Sequence, residues 1–316
     1  MLDIKNPIGG YFELELPTFN EFHSGALSLN SGRFCLEYIL KCRRYKVVYI
    51  PYFTCDSVLE PIVRLGITYK FYHIDYNYHI VDDIMLSKDE ALLYTNYWGL
   101  QSDYCLKLKT IYKNQLILDY TQAFFAKPIS GIDTFYSCRK FFGVPDGGYL
   151  YSDAIADFDI ERDQSYMRID SLVKRIDLSP TEGYPDFIKC SKEFKGLPIR
   201  YMSKFTKRMM SSIDYNNVAK KRRANYNYLL DVFGGHNLAD SDVPMVFPYL
   251  VKNGTELRKY LINSNIFIAK YWPNVDKWVT SYSVESNLSN NLLPLPIDQR
   301  YGINDMQLIV ELINNM

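Results

Sequence analysis

The sequence lacks three features that would assign it to a specialised class of protein. Its 36 basic and 36 acidic residues leave no formal net charge, which argues against a nucleic-acid binder working through a global basic field. No run of about 18 apolar residues occurs, so we expect no membrane-spanning helix. The N-terminal stretch MLDIKNPIGGYFELELP has no apolar core of the kind that signal peptides carry, and we expect a cytoplasmic protein.

Cysteine is scarce and irregularly spaced. The chain has 6 cysteines, and none of them forms a C-x-x-C pair. We therefore expect free thiols in a reducing compartment and no metal site. The sequence also has no internal repeat and no low-complexity segment.

Short apolar runs alternate with stretches of helical periodicity over residues 31–151. The runs KVVYI, KFYHI, ALLYT, LILD, TFYS and GYLY predict strands, and the stretches between them, such as SGRFCLEYILKC and SDYCLKLKTIYKN, predict helices. This alternation is typical of an α/β fold with a mostly parallel sheet. The length of 316 residues leaves room for a second, smaller domain.

The pattern changes after residue 151. SLVKRIDL predicts a helix, and KFTKRMMSSIDYNNVAKKRRANYNYLLDVF predicts one long basic helix. The final hundred residues predict a strand, a helix beginning at ELRKYLINSNIFIAKYWP, a second strand and a closing helix. We therefore expect a large domain over residues 1–214 and a small α+β domain over residues 215–316.

Chemically useful side chains stand where predicted strands end. Asp119 ends LILD, Lys140 follows DTFYSC, and Tyr97 and Trp98 follow ALLYTN. Ligands of open α/β sheets gather at the carboxyl ends of the strands, so we expect these side chains to face one cleft. A desolvated lysine can form a Schiff base, and a carboxylate can pair with a protonated pyridine nitrogen. Taken singly, Lys140 could be a solvated surface residue and Asp119 a helix cap.

The order of these motifs resembles the DegT–DnrJ–StrS family of pyridoxal-phosphate-dependent sugar aminotransferases, which have the aspartate aminotransferase fold (fold type I). LILDYTQAFFA is similar to the family's Asp-x-x-Gln pattern, and FYSCRKFFGVPDGGYLY to its lysine loop with a Gly-Gly pair. LNSGRFCLEYIL, VYIPYFTCDSVLEPI and TNYWGLQSD resemble further family segments. The resemblance implies an α/β large domain with a seven-stranded-type sheet between helices.

The resemblance also implies roles for individual residues around pyridoxal 5'-phosphate. Lys140 would carry the cofactor covalently, and Asp119 would pair with its pyridine nitrogen. Gln122 would lie near the phenolic oxygen. The expected phosphate ligands are Ser31 and Gly32 at a helix N-terminus, with Ser137. Cys55 stands where many members stack an aromatic ring on the cofactor, a role that Tyr52 or Phe53 could take over.

The same family implies a function and partners. We expect an amino acid, with glutamate as the donor, to aminate a keto-sugar nucleotide in surface polysaccharide or related amino-sugar synthesis. Candidate substrate contacts are Arg33, Arg139, Tyr97, Trp98 and the stretch Lys270–Tyr271–Trp272; Trp98 and Trp272 could instead pack the domain junction. We expect a homodimer with shared active sites, to which Arg200 of the neighbouring subunit contributes.

Four other interpretations were considered from the sequence. A dehydratase branch of the family replaces the lysine with histidine, and Lys140 argues against it. A cofactor-binding but non-catalytic member, or an enzyme acting on a different keto substrate, fits the Cys55 substitution and the short chain. The plainest alternative is an α/β binding domain without a cofactor.

Overall fold

A seven-stranded sheet organises the first half of the computed structural model, which describes residues 8–316. Residues 1–7, with which the predicted large domain and the N-terminal stretch begin, lie outside the described residues. The sheet order is β1-β7-β6-β5-β4-β2-β3. The strands are β1 (Leu27–Leu29), β2 (Val47–Pro51), β3 (Thr68–Tyr72), β4 (Glu90–Thr95), β5 (Leu116–Asp119), β6 (Asp133–Ser137) and β7 (Gly148–Tyr151).

The directions of the strands bring the carboxyl ends of six of them to one edge of the sheet. Strands β2 to β6 pair in parallel, whereas β7 is antiparallel to both β6 and β1. The carboxyl ends of β1 to β6 therefore meet at the edge where β7 begins. The prediction of an α/β fold with a mostly parallel seven-stranded sheet is confirmed. Strand β1 was not predicted, because its three residues LSL are too few to display an alternation.

Helices cover both faces of the sheet, so most of its strands are buried on both sides. In β4, Leu92 and Tyr94 belong to one apolar cluster, whereas Ala91 and Leu93 belong to the other. Such burial explains why these strands appear in the sequence as continuous apolar runs. The helices of this part are α1 (Gly32–Arg43), α2 (Leu59–Arg64), α3 (Ser102–Tyr112), α4 (Asp170–Asp177), α5 (Pro180–Glu193) and α6 (Lys204–Met210).

A smaller α+β unit follows. It consists of α7 (Tyr215–Phe233), β8 (Phe247–Leu250), α8 (Gly254–Asn263), α9 (Val284–Asn291), β9 (Leu292–Leu295) and α10 (Ile303–Asn314). Strands β8 and β9 form an antiparallel pair. The order of strand, helix, strand and closing helix agrees with the sequence, and α7 begins at the predicted boundary residue. The exact division at residues 214 and 215 stays a prediction.

Two helix predictions were wrong in extent. The long basic helix is two helices, because the chain leaves the helix after Met210 and Asp214 caps a new one, its side chain accepting a hydrogen bond from the Asn217 amide at 3.0 Å. The segment ELRKYLINSNIFIAKYWP is helical only as far as Asn263, and Asn265 takes a left-handed φ of 63°. Helices α5 and α9 were not predicted; α5 contains an internal proline, Pro185, that interrupts the helical signal.

The small unit packs against the ends of β2 and β3. The rings of Phe53 and Trp272 meet edge to face at 5.0 Å. The Asn274 amide donates to the Thr54 carbonyl at 2.9 Å, and His73 Nδ1 lies 3.0 Å from a Glu285 carboxylate oxygen. These contacts fix one wall of the cleft above the carboxyl edge of the sheet.

Candidate active site

Polar side chains end three neighbouring strands on one face of the sheet. Thr95 of β4 lies directly beside Asp119 of β5, and Asp119 lies beside Phe135 of β6, two residues before Ser137. Because side chains alternate along a strand, Thr95, Asp119 and Ser137 point to the same face as Phe135, which packs in the α1 layer. The sheet therefore presents a hydroxyl, a carboxylate and a second hydroxyl below the start of α1.

The N-terminus of α1 meets this polar row. Ser31 is the residue before the helix, and its buried hydroxyl has no hydrogen-bond partner among the described residues. The backbone amides of a helix N-terminus favour a negative ligand. A Cβ on Gly148 would lie 2.6 Å from the Ser31 carbonyl carbon, so only glycine lets β7 approach here. The first turn of α1 thus offers a hydroxyl and amides to an anion.

Lys140 reaches the same place from the loop between β6 and β7. It closes a single 3-10 turn, Cys138–Lys140, and its Nζ donates a hydrogen bond to Thr121 Oγ1 at 3.0 Å. The Thr121 amide in turn donates to Asp119 Oδ1 at 2.8 Å. The predicted lysine and carboxylate are therefore brought together, joined through a threonine that the sequence analysis did not single out.

The Asp119 carboxyl group is electrostatically strained. Burial raises its pKa above the usual value of 3.8, and this effect outweighs the opposing pull of Lys140 and of hydrogen bonds from Thr121. A cationic N–H placed against this carboxylate would relieve the cost of burying its charge. The site therefore suits a ligand that carries a cationic N–H group.

The side-chain oxygen of Gln122 already accepts a hydrogen bond from the backbone. Its Oε1 accepts a hydrogen bond from the Trp98 amide at 3.0 Å. The side chain thereby ties the segment after β5 to the 3-10 turn Tyr97–Gly99 after β4. A contact between Gln122 and a cofactor oxygen stays a prediction.

Tyr97 and Trp98 pack inside the protein, whereas the sequence led us to expect their side chains in an open cleft. Both are fully buried. The Tyr97 hydroxyl donates to the Phe53 carbonyl at 2.8 Å, and the Trp98 ring lies 5.4 Å from the Tyr271 ring. The reason is the backbone at Trp98, whose φ of 60° turns the chain back into the core. The alternative, in which Trp98 packs the domain junction, describes the structure.

Neither of the two rings that could replace Cys55 at the cofactor-stacking position is free to do so. Cys55 is partly exposed, and its sulfur accepts a hydrogen bond from the Ser57 hydroxyl at 3.1 Å. Tyr52 stacks on Phe71 with ring centroids 4.5 Å apart, and Phe53 is fully buried. Neither ring is free to cover a ligand at Cys55.

The predicted arginine and lysine contacts are engaged within the protein. Arg33 forms an ion pair with Glu60 at 2.7 Å. The Arg139 side chain points away from Lys140. Its guanidinium lies 4.8 Å from the Phe194 ring and donates a hydrogen bond to the Ser191 hydroxyl at 3.2 Å. Its charge is thus turned toward α5, although the residue is adjacent to the lysine in the sequence.

Two further predicted contacts also have partners. Arg200 Nη1 lies 3.4 Å from Asp163 Oδ1, and the Arg200 carbonyl accepts a hydrogen bond from the amide of Asn30, one residue before Ser31. Lys270 binds Asp276 at 2.8 Å. Arg200 therefore borders the α1 start of its own chain, while Lys270 serves the internal structure of the small unit.

Comparisons with known proteins agree on the fold. No protein-family model and no curated protein sequence matches the chain. Among solved structures it is similar to DesI in the presence of its TDP-sugar product (17% identity, TM-score 0.63, 91% of this chain and 79% of that one). It is also similar to a DegT DnrJ EryC1 StrS aminotransferase from Brucella abortus (15%, 0.59, 92% and 86%) and to NtdA from Bacillus subtilis with bound cofactor PMP (12%, 0.58, 92% and 73%).

These TM-scores and coverages show that the chain has the fold of the fold type I aminotransferases, which is the fold that the sequence resemblance implied. Within residues 8–316, no helix is both long and apolar enough to cross a membrane.

The raised pKa of Asp119 predicts how stability depends on pH. Because the folded protein holds this proton more tightly than the unfolded chain, the free energy of unfolding should fall as pH rises from about 3.8 through the folded-state pKa. Asp119→Asn keeps the acceptor for the Thr121 amide but cannot ionise. In cofactor-free protein it should be more stable than wild type at pH 7, and the difference should shrink toward pH 4. Urea unfolding at both pH values measures this; a less stable variant at pH 7 would contradict it.

Proposed function

We propose that the chain is a pyridoxal-phosphate-dependent aminotransferase of the DegT–DnrJ–StrS type. It transfers an amino group from an amino acid, with glutamate as the donor, to a keto-sugar nucleotide in surface polysaccharide or related amino-sugar synthesis. The observation that carries the proposal is the linkage of Lys140, Thr121 and Asp119 beside the N-terminus of α1. A cytoplasmic location is part of the proposal.

The residues present fit pyridoxal phosphate. The unpartnered Ser31 hydroxyl and the first amides of α1, at Gly32, suit its phosphate, with Ser137 on the adjoining strand end. The buried Asp119 carboxylate suits its ring nitrogen, and Lys140 supplies the amine. When bound, the cofactor supplies an electron sink through its protonated ring.

Each residue of this group would have a distinct task. Asp119 keeps the ring nitrogen protonated, because an opposite charge stabilises the protonated form. Lys140 would hold the cofactor through its amine, and its free Nζ would hold and move the proton at the substrate carbon that bears the nitrogen. Ser31 and Gly32 anchor the phosphate, so the ring stays aligned between the two.

The sugar-nucleotide substrate is supported by the fold and by one relative. DesI, whose fold this chain shares, was solved in the presence of a TDP-sugar product. In this chain the cleft between the sheet edge and the small unit has no free arginine at Arg33, which is paired with Glu60. A nucleotide would therefore have to open that ion pair or use other cations.

We predict that Lys140 is the covalent attachment point. Borohydride reduction of the protein with pyridoxal phosphate, followed by digestion and mass spectrometry, should place the label on the Lys140 peptide. Lys140→Arg should take up no label, whereas Lys107→Arg, an exposed lysine of α3, should behave as wild type. Label on another lysine with Lys140 unmodified would remove the basis of the proposal.

A second prediction concerns the two half-reactions. Glutamate alone should convert the bound cofactor to its pyridoxamine form, visible in the absorption spectrum, and a nucleoside-diphosphate keto sugar should convert it back. Lys140→Arg should do neither. A protein that accepts glutamate but ignores nucleotide sugars would act on a different keto substrate. One that responds to neither compound would be a cofactor-binding, non-catalytic member of this fold.

The proposal includes a homodimer with shared active sites. It is supported by apolar side chains of the α4 and α5 hairpin that face solvent in the single chain. Ile176 is 83% exposed, and Leu178, Tyr184 and Phe187 are also exposed. Exposed apolar side chains clustered on one hairpin are typical of an interaction site.

Sedimentation at micromolar concentration should show a dimer. Ile176→Asp should raise the dissociation constant by about tenfold or more, because the contact of one buried isoleucine is worth ~1.5–3 kcal/mol. Ile155→Asp, at another exposed isoleucine outside the hairpin, is the control. A wild-type monomer with full cofactor occupancy would contradict the shared site; an unaffected Ile176→Asp dimer would place the contact elsewhere.

A further inference from the structure

Thr121 connects the two residues on which the proposed chemistry depends. Its hydroxyl accepts the hydrogen bond from Lys140 Nζ, and its amide donates to Asp119. Among the residues that the structure describes, Thr121 is the hydrogen-bond partner of that amine. We propose that Thr121 is a positioning residue, which holds the Lys140 amine beside Asp119 whenever the lysine is not attached to the cofactor. The inference rests on the proposed function for its catalytic consequence.

The orientation of the Thr121 side chain is fixed by its surroundings. The residue is 8% exposed. Its methyl carbon Cγ2 faces the start of α1, where a Cβ on Gly32 would come within 3.0 Å of it. A β-branched side chain has few χ1 choices, so placing the methyl against Gly32 leaves the hydroxyl directed at Lys140. The hydroxyl is thus preorganised before the lysine arrives.

A hydroxyl suits this task better than the other polar groups nearby. It can accept a hydrogen bond from a lysine ammonium and donate one to the free amine, so it can hold Lys140 in both protonation states. The ionised Asp119 carboxylate can only accept, and the Gln122 oxygen is occupied by the Trp98 amide. A lysine that must give and take a proton at one carbon therefore keeps the same position throughout.

The test compares Thr121→Val, which keeps the shape and loses the hydroxyl, with Thr121→Ser, which keeps the hydroxyl. Thr110→Val, at an exposed threonine of α3, is the matched control. The first measurement is reductive methylation by formaldehyde of cofactor-free protein, with the rate at Lys140 followed by mass spectrometry. Loss of a typical net hydrogen bond should speed labelling of Lys140 in Thr121→Val by about two- to tenfold, with Thr121→Ser and Thr110→Val close to wild type.

The second measurement is steady-state turnover with glutamate as the donor and a nucleoside-diphosphate keto sugar as the acceptor. Thr121→Val should lower kcat by about tenfold or more while KM changes by less than about twofold, and Thr121→Ser should recover most of kcat. Equal labelling rates in Thr121→Val and wild type would overturn the proposal without reference to any cofactor. Faster labelling with unchanged kcat would overturn the positioning role in the reaction. A wild type that neither binds pyridoxal phosphate nor turns over would refute the proposed function, and the labelling rates would still decide whether Thr121 holds the amine.

Discussion

The burial of one carboxylate at the end of a strand is the constraint on which the site depends. Asp119 lies under α1 on a sheet covered on both faces, where an unpaired charge is costly. The protein answers with a lysine and with two polar groups of Thr121, yet the pKa of Asp119 stays raised. A further cation beside the carboxylate would lower the cost of burying its charge, and the Ser31 hydroxyl, which has no hydrogen-bond partner among the described residues, lies at the start of the same helix.

The sheet and the two central residues could be predicted because their signals are local. The apolar runs report strands buried on both faces, and the position of Asp119 at the end of such a run places it at the functional edge. The position of Lys140 alone did not predict its role, since a lysine after a strand is commonly a surface group. The order of the motifs around it, which resembles that of a known family, made the prediction possible.

The failures of the sequence analysis have physical causes. Trp98 was expected in the cleft because it follows a strand, but a left-handed φ at that residue turns it inward. Arg139 was predicted to contact the substrate because it is adjacent to Lys140 in the sequence. Successive residues of a 3-10 turn, however, point in different directions. Thr121 carried no signal, because its importance comes from a methyl contact with Gly32 and a hydroxyl contact with Lys140, residues that are remote in sequence.

The loop that carries Lys140 is clamped at both ends, and this has an evolutionary consequence. The Cys138 amide donates to the Gly147 carbonyl at 3.1 Å, so residues 138–147 form a closed hairpin, and Gly148 then abuts Ser31. An insertion in this hairpin would move the lysine relative to Asp119. Variation in length among proteins of this fold should therefore collect downstream, in the long excursion between β7 and α6 that contains α4 and α5. The lysine hairpin itself should keep a constant length.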